Sequence, residues 1–369
     1  MFTKPDYNKC VLNVSSTLAE FLNVKTLNAT LPLLKEKLKN NYKNVVFICF
    51  DGMGIHPLTV NAPKDGFLWK HVVDTLTSTF PSTTTNATTS LNTDKLPLEH
   101  GWFGWFVYFD QLKRSVELFT ARDYFTREKV NFDLLPPSND YYFDKADSEY
   151  KITSIMPPFC KKSKFNGIVS ETISELFDNL TIELSKPYKQ FIYCYNPYPD
   201  STMHDFGVTS DEAKADITQI AQGLEKLKNN FTDTLIIVTA DHGQIDVAGE
   251  IELYKDTELT DMLKAPAFLE ARAPAFWVKE ERKSEFERLF NERYGKDFVL
   301  YKTQTLIEEN YFGSRGEFGY LLGDYIAIGT DTNKIVSLKE PDGPIFKGHH
   351  TSLTKEMTVP LILIECGKN

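Results

Sequence analysis

Residues 44–50, NVVFICF, form an unbroken apolar run with polar residues before it and Asp51-Gly52 after it. A run this short and this uniform predicts a strand buried on both faces, the signature of a parallel sheet. Two further runs have the same form: QFIYCY at 190–195 ends before Asn196-Pro197, and TLIIVT at 234–239 ends before Ala240-Asp241. A fourth, VPLILIE at 359–365, lies near the C-terminus. Between the second and third runs, residues 209–230 carry Ile217, Ile220, Leu224 and Leu227 at helical spacing. Thr209 and Glu212 at the start of that stretch match a capping box. Residues 280–295 read as another amphipathic helix, closed by Gly295.

This alternation predicts an α/β fold with a mostly parallel central sheet flanked by helices. Two regions interrupt it. Residues 100–165 are rich in aromatics and proline (WFGWFVYF, LLPPSNDYYF, MPPFC), and 246–345 contain β-like segments of their own (APAFWV, FVLY, DYIAIG). The expected organisation is a core domain of 1–245 with 346–369, and a smaller α+β cap inserted at 246–345. At 369 residues the chain is long enough for such an arrangement, at about 150 residues per domain.

Composition adds limits rather than chemistry. Hydrophobic residues make up 41% and charged residues 25%, which suits a packed core. With 41 basic and 51 acidic residues the formal charge is −10, a poor match to a nucleic-acid polymer. Five scattered cysteines, Cys10, Cys49, Cys160, Cys194 and Cys366, form no CxxC pair, so neither a zinc ribbon nor a disulfide scaffold is expected. The N-terminus has no apolar stretch of signal-peptide length, and no run approaches the ~18 apolar residues of a membrane span. A cytoplasmic protein is the expectation.

Chemistry is concentrated in a few strings. Asp51 follows the first strand run in FDGMG. A hydroxyl-rich loop, TSTFPSTTTNATTSLNT at 77–93, runs into an apparent helix. NPYPDSTMHDFG carries Asp200 and His204, TADHGQ carries Asp241 and His242, and GHHTSL carries His349 and His350. Each motif alone is weak, because an Asp at a strand end is usually a turn or cap residue. Together they hold four of the seven histidines, all near strand boundaries, and the three Asp-bearing loops follow strands at the carboxyl ends where open α/β sheets place ligands. Carboxylate oxygen and imidazole nitrogen suit zinc, and three Asp with three His suffice for two ions. A threonine at a helix N-terminus lies beside unpaired N–H groups that favour a phosphate.

In this order the strings resemble the alkaline phosphatase superfamily, and within it the nucleotide pyrophosphatase/phosphodiesterase branch. The resemblance implies an alkaline-phosphatase-like core. It puts the nucleophile on Thr84, the last residue of FPSTT. It implies one zinc on Asp200, His204 and His350, and a second on Asp51, Asp241, His242 and the Thr84 oxygen, with Mn²⁺ or Fe as possible substitutes. The family's G-x-H pattern selects His350 over His349. The implied activity is hydrolysis of phosphodiester or pyrophosphate bonds, nucleotide-type substrates included, through a phospho-threonine intermediate. The implied partner is a small phosphate ester, with no nucleic-acid polymer and no membrane span.

The chain also departs from the pattern. Trp105 stands where eukaryotic-type members have a phosphate-contacting Asn, so that contact is either missing or replaced by Asn86 or a backbone N–H. Thr351 replaces the last Gly of G-x-H-G. Arg272, Arg315 and Lys347 are candidate substrate contacts, Trp102, Trp105, Phe106 and Tyr108 are candidates for stacking on a base, and His100 reads as structural. A phosphomonoesterase or phosphonate hydrolase on the same scaffold, or an inactive binding homologue, are the alternatives.

Overall fold

The computed structural model describes residues 2–160, 167–338 and 346–367. Residues 339–345, the end of the expected cap, therefore lie outside the described residues. Seven strands form the central sheet: β1 (Asn44–Phe50), β2 (Val72–Thr77), β3 (Lys151–Met156), β4 (Ile168–Val169), β5 (Gln190–Asn196), β6 (Thr234–Thr239) and β7 (Thr358–Cys366), in the order β2-β7-β6-β1-β5-β3-β4. The three apolar runs that predict two-sided strands become β1, β5 and β6, and every residue of each is buried. Their pairings are parallel, as are those of β3 with β5 and β4; β7 alone runs against its neighbours β6 and β2. The sheet is thus mostly parallel.

Register fixes where the loops emerge. Phe50 lies beside Asn196, and Cys49 beside Thr239. The chain consequently leaves β1, β5 and β6 in one row, delivering Asp51, the 197–200 turn and Ala240–His242 to the same edge. Because β7 is antiparallel, residues 348–357 enter it from that edge as well. β2 runs parallel to β1, so it hands 78–84 to the same place. Five loops converge there as a consequence of strand direction.

Helices flank the sheet. Val11–Phe21 packs against α1 (Thr84–Thr93). Downstream lie α2 (Asp200–Phe206) and α3 (Asp211–Asn230), and α3 packs against Ile173–Leu184. The predicted apolar stripe of α3 is buried, but its cap is Ser210, whose Oγ accepts from the Ala213 N–H at 3.1 Å. Thr209 instead donates to Asp246 Oδ2 at 3.1 Å, which corrects the expected capping box.

A second sheet is wholly antiparallel. Its order is Phe298–Lys302, Tyr325–Gly329, Ala273–Phe276, Phe268–Glu270, Phe106–Phe109, Arg114–Glu117 and Arg122–Asp123. Three of its strands come from the aromatic-rich stretch ahead of 246, joined to the rest by the pairing of Leu269 with Phe106. It has its own apolar clusters, one under the helix Lys283–Tyr294. Among the described residues no helix is long and apolar enough to cross a membrane.

Candidate metal centre and nucleophile

Asp51 begins the turn after β1 and is buried. Gly52 has φ +69°, and a Cβ there would meet Asp200 Cβ at 2.8 Å. The turn therefore needs glycine, both for its left-handed backbone and for the close approach of α2. The Gly52 N–H donates to Asp241 Oδ1 at 3.1 Å, and the Asp200 N–H to the Asp51 carbonyl at 3.1 Å. The three aspartates are thus tied to one another through backbone as well as through register.

Asp200 and His204 lie one turn apart on α2, as their spacing predicts, with Oδ2 and Nε2 3.2 Å apart. The His204 Nδ1–H donates to the Gly348 carbonyl at 2.9 Å, and that of His242 to the Gly243 carbonyl at 2.9 Å. Both contacts aim Nε2 at the carboxylates, the tautomer a metal ligand requires. His242 Nε2 lies 3.3 Å from Asp51 Oδ1 and 3.5 Å from Asp241 Oδ2. The His350 ring stacks on that of His242 at 4.0 Å.

Two groups have donor atoms within 4.8 Å of one another: Asp200, His204 and His350, and Asp51, Asp200 and His242. The first coincides with one expected ligand set. The second shares Asp51 and His242 with the other expected set but recruits Asp200, so the two groups overlap at that carboxylate. Asp241 belongs to neither group, though its Oδ2 faces His242. Asp241 Oδ2 and His350 Nδ1 are buried with no hydrogen-bond partner among the described residues.

Electrostatics agree with the geometry. Burial, with Asp241 and Asp200 close by, pushes the Asp51 carboxyl well above its usual range; burial also raises Asp241. Burial would raise Asp200 too, but the His204 imidazole beside it, His242 and the Gln244 amide together outweigh that and hold it low. Burial drives His350 and His349 well below the usual imidazole value, which keeps both rings neutral with one nitrogen of each free to accept. Clustered, buried carboxylates with orphaned donor atoms are costly unless a cation joins them. The residues therefore fit divalent metal.

Thr84 is the first residue of α1. Its Oγ1 lies 3.4 and 3.3 Å from the two oxygens of Asp51 and 3.1 Å from His242 Nε2. One hydroxyl thus faces both a carboxylate and an imidazole of the candidate metal group.

Other candidates are placed elsewhere. Arg272 is fully buried, with Nε donating to Glu356 at 2.8 Å and Nη1 to two backbone carbonyls. Arg315 is taken by Glu99 and Asn28. The backbone N–H of Lys347 donates to the His204 carbonyl, and its ammonium sits 6.0 Å from the Phe206 ring. The Asn86 amide donates to the Pro81 carbonyl at 2.9 Å, so it braces the loop. His349 Nδ1 accepts the His350 N–H at 2.9 Å. Buried His100 is held by Ser90 and the Trp102 N–H, a structural arrangement. Trp102 and Tyr108 are buried and Phe106 stacks on Tyr124 at 4.1 Å, which leaves Trp105, 42% exposed, as the aromatic open to solvent among those four.

Three polar residues at the site went unread in the sequence. The Tyr195 hydroxyl donates to Asp51 Oδ2, and Gln244 Nε2 donates to Asp200 Oδ1 at 2.6 Å. Their signal was position: Tyr195 is in the last pair of β5, and Gln244 ends TADHGQ. Glu270 accepts from the Thr83 hydroxyl and the Trp105 N–H, both at 2.7 Å. It comes from the second sheet, where nothing in the local sequence marks it.

The family model for type I phosphodiesterase/nucleotide pyrophosphatase matches residues 45–353. Among solved structures, the chain resembles murine ectonucleotide pyrophosphatase/phosphodiesterase 5, in an inactive threonine-to-alanine variant bound to AMP. That match has 18% identity, 87% of each chain covered and a TM-score of 0.61. The human counterpart matches at 16% identity over 88% of this chain and 90% of that one, with a TM-score of 0.62. Phosphonoacetate hydrolase from Sinorhizobium meliloti, in complex with phosphonoformate, matches at 14% identity over 87% and 89%, with a TM-score of 0.62. A search of curated proteins gave no match.

Proposed function

The chain belongs to the type I phosphodiesterase/nucleotide pyrophosphatase family, whose members hydrolyse phosphoester bonds, and within it we propose a diesterase or pyrophosphatase that uses Thr84 as nucleophile. The observation that carries this reading is the position of Thr84 Oγ1, 3.1 Å from His242 Nε2 and within 3.4 Å of both Asp51 oxygens. The inactive threonine variant of the murine relative, bound to AMP, supports a threonine in this role and a nucleotide-type substrate.

Asp200, His204 and His350 would hold one metal ion, and Asp51, Asp241, His242 and the Thr84 oxygen a second; zinc suits this donor set, with Mn²⁺ or Fe as alternatives. Such ions supply Lewis-acid stabilisation of phosphoryl charge and favour the ionised threonine oxygen. The protein's own groups do the positioning. Asp51 and His242 orient Oγ1 toward the phosphorus. The first turn of α1 directs its N–H groups at the phosphoryl oxygens. Attack by Thr84 Oγ1 forms a P–O bond as the bond to the leaving alcohol or phosphate breaks, the threonine proton balancing the departing oxygen and the rest of the ester staying on Thr84. Water then cleaves that threonine ester and restores the hydroxyl. Five free cysteines accord with a cytoplasmic location.

The likeness of fold to phosphonoacetate hydrolase favours a second reading, hydrolysis of a phosphonate. The zinc-loaded enzyme should be compared on bis(4-nitrophenyl) phosphate, 4-nitrophenyl phosphate and phosphonoacetate. A higher kcat/KM for the diester supports the first reading. Preference for the monoester or the phosphonate overturns it.

A further inference from the structure

Thr83 occupies the N-cap position of α1, with extended backbone at φ −136° and ψ 151°. A threonine here ordinarily turns its hydroxyl back to accept from the second or third N–H of the helix. Thr83 makes no such cap. Its carbonyl accepts the Ala87 N–H at 2.9 Å, the first bond of the helix, but its hydroxyl points away and donates to Glu270 Oε1 at 2.7 Å. Among the described residues, the backbone N–H groups of Thr84, Thr85 and Asn86 have no acceptor. The Asn86 Nδ2 donates to the Pro81 carbonyl at 2.9 Å, and its Oδ1 is buried without accepting from these N–H groups among the described residues.

Glu270 is well placed to hold the hydroxyl. It ends the strand Phe268–Glu270, which turns directly into Ala273–Phe276, so its backbone is fixed on both sides. Thr83 and Glu270 are both buried. The Trp105 N–H, just ahead of the strand Phe106–Phe109, donates to the same Oε1 at 2.7 Å and anchors that oxygen from a second segment. Burial raises the carboxyl to about 7. The arrangement survives in either charge state, since an oxygen that accepts two hydrogen bonds leaves any proton to Oε2.

We infer that Glu270 is a positioning residue: by taking the Thr83 hydroxyl it prevents the self-cap and keeps the first N–H groups of α1 open for the phosphoryl oxygens of the substrate. This rests on the reading of Thr84 as nucleophile. It also gives the second sheet a role in a site built by the first.

The test uses the zinc-loaded enzyme, with KM for bis(4-nitrophenyl) phosphate and the competitive inhibition constant of inorganic phosphate as readouts. In Glu270→Ala the freed hydroxyl caps the helix and competes with phosphate. Both constants should rise about five- to tenfold, with a smaller change in kcat and unchanged metal content. Adding Thr83→Val to that variant removes the competing oxygen and should recover most of the loss, although the Trp105 N–H stays unpaired in both. Glu270→Gln, which still offers an oxygen, should recover it too. Failure of the double variant to recover, or a rise in Glu270→Gln equal to that in Glu270→Ala, overturns the proposal. If Glu270→Ala does not fold, the near-isosteric Glu270→Gln decides alone: little change supports it, and a tenfold rise overturns it. A wild-type enzyme that neither cleaves the diester nor is inhibited by phosphate contradicts the parent reading, a different result from activity without recovery.

Discussion

The Tyr195 hydroxyl donates to Asp51 Oδ2, across adjacent strands whose register sets Cys49 beside Tyr195 and Phe50 beside Asn196. Asp51 also faces Thr84 and His242, so its orientation bears on the nucleophile and the metal group together. Tyr195→Phe keeps the ring in the core and deletes only the donor. Zinc affinity of the metal-free protein should fall about tenfold or more, with activity regained at higher zinc. A zinc titration followed by calorimetry checks this, and unchanged affinity would show that Asp51 needs no such support.

The adjacent histidines should separate cleanly. His350 contributes a ring nitrogen to the group with Asp200 and His204, whereas His349 accepts the His350 N–H. Elemental analysis after purification without chelator should show His350→Ala losing about one metal per chain and His349→Ala losing much less. The reverse order would mean that the ligand is His349.

His100 predicts a pH effect independent of the metals. Its Nδ1 accepts from the Trp102 N–H at 3.0 Å, so the buried ring is neutral, and burial lowers its pKa to about 3. With the folded value below the unfolded one of about 6.5, its contribution is full above the unfolded value and drains away as pH falls toward 3. His100→Asn keeps an acceptor for Trp102 and does not titrate. Denaturant melts of the variant should therefore lose less stability between pH 6.5 and 4 than those of the wild type; parallel slopes would refute this.

What the sequence made legible follows from how locally each feature is determined. β1, β5 and β6 are buried on both faces, so their apolar runs mark them within a residue or so, and the Asp or His after each strand stands at the sheet edge by necessity. Asp200 and His204 share a helical turn, which their spacing alone implies. The second sheet was less readable because it pairs Leu269 with Phe106, far apart in the chain, and local composition carries no sign of that partnership. Arg272 and Arg315 looked like anion contacts because free cationic side chains and paired ones are identical in sequence. Only their partners, Glu356 and Glu99, show that they are occupied. Glu270 was invisible for the same reason as the sheet that carries it.

The central claim is that Thr84 is the nucleophile of a metal-supported phosphoester hydrolase. Its most direct test is the turnover of Thr84→Ala on bis(4-nitrophenyl) phosphate, with metal content measured on the same sample. The account predicts a loss on the order of a thousandfold or more in kcat with metal content close to wild type. Substantial turnover by a variant that keeps its metal would contradict it.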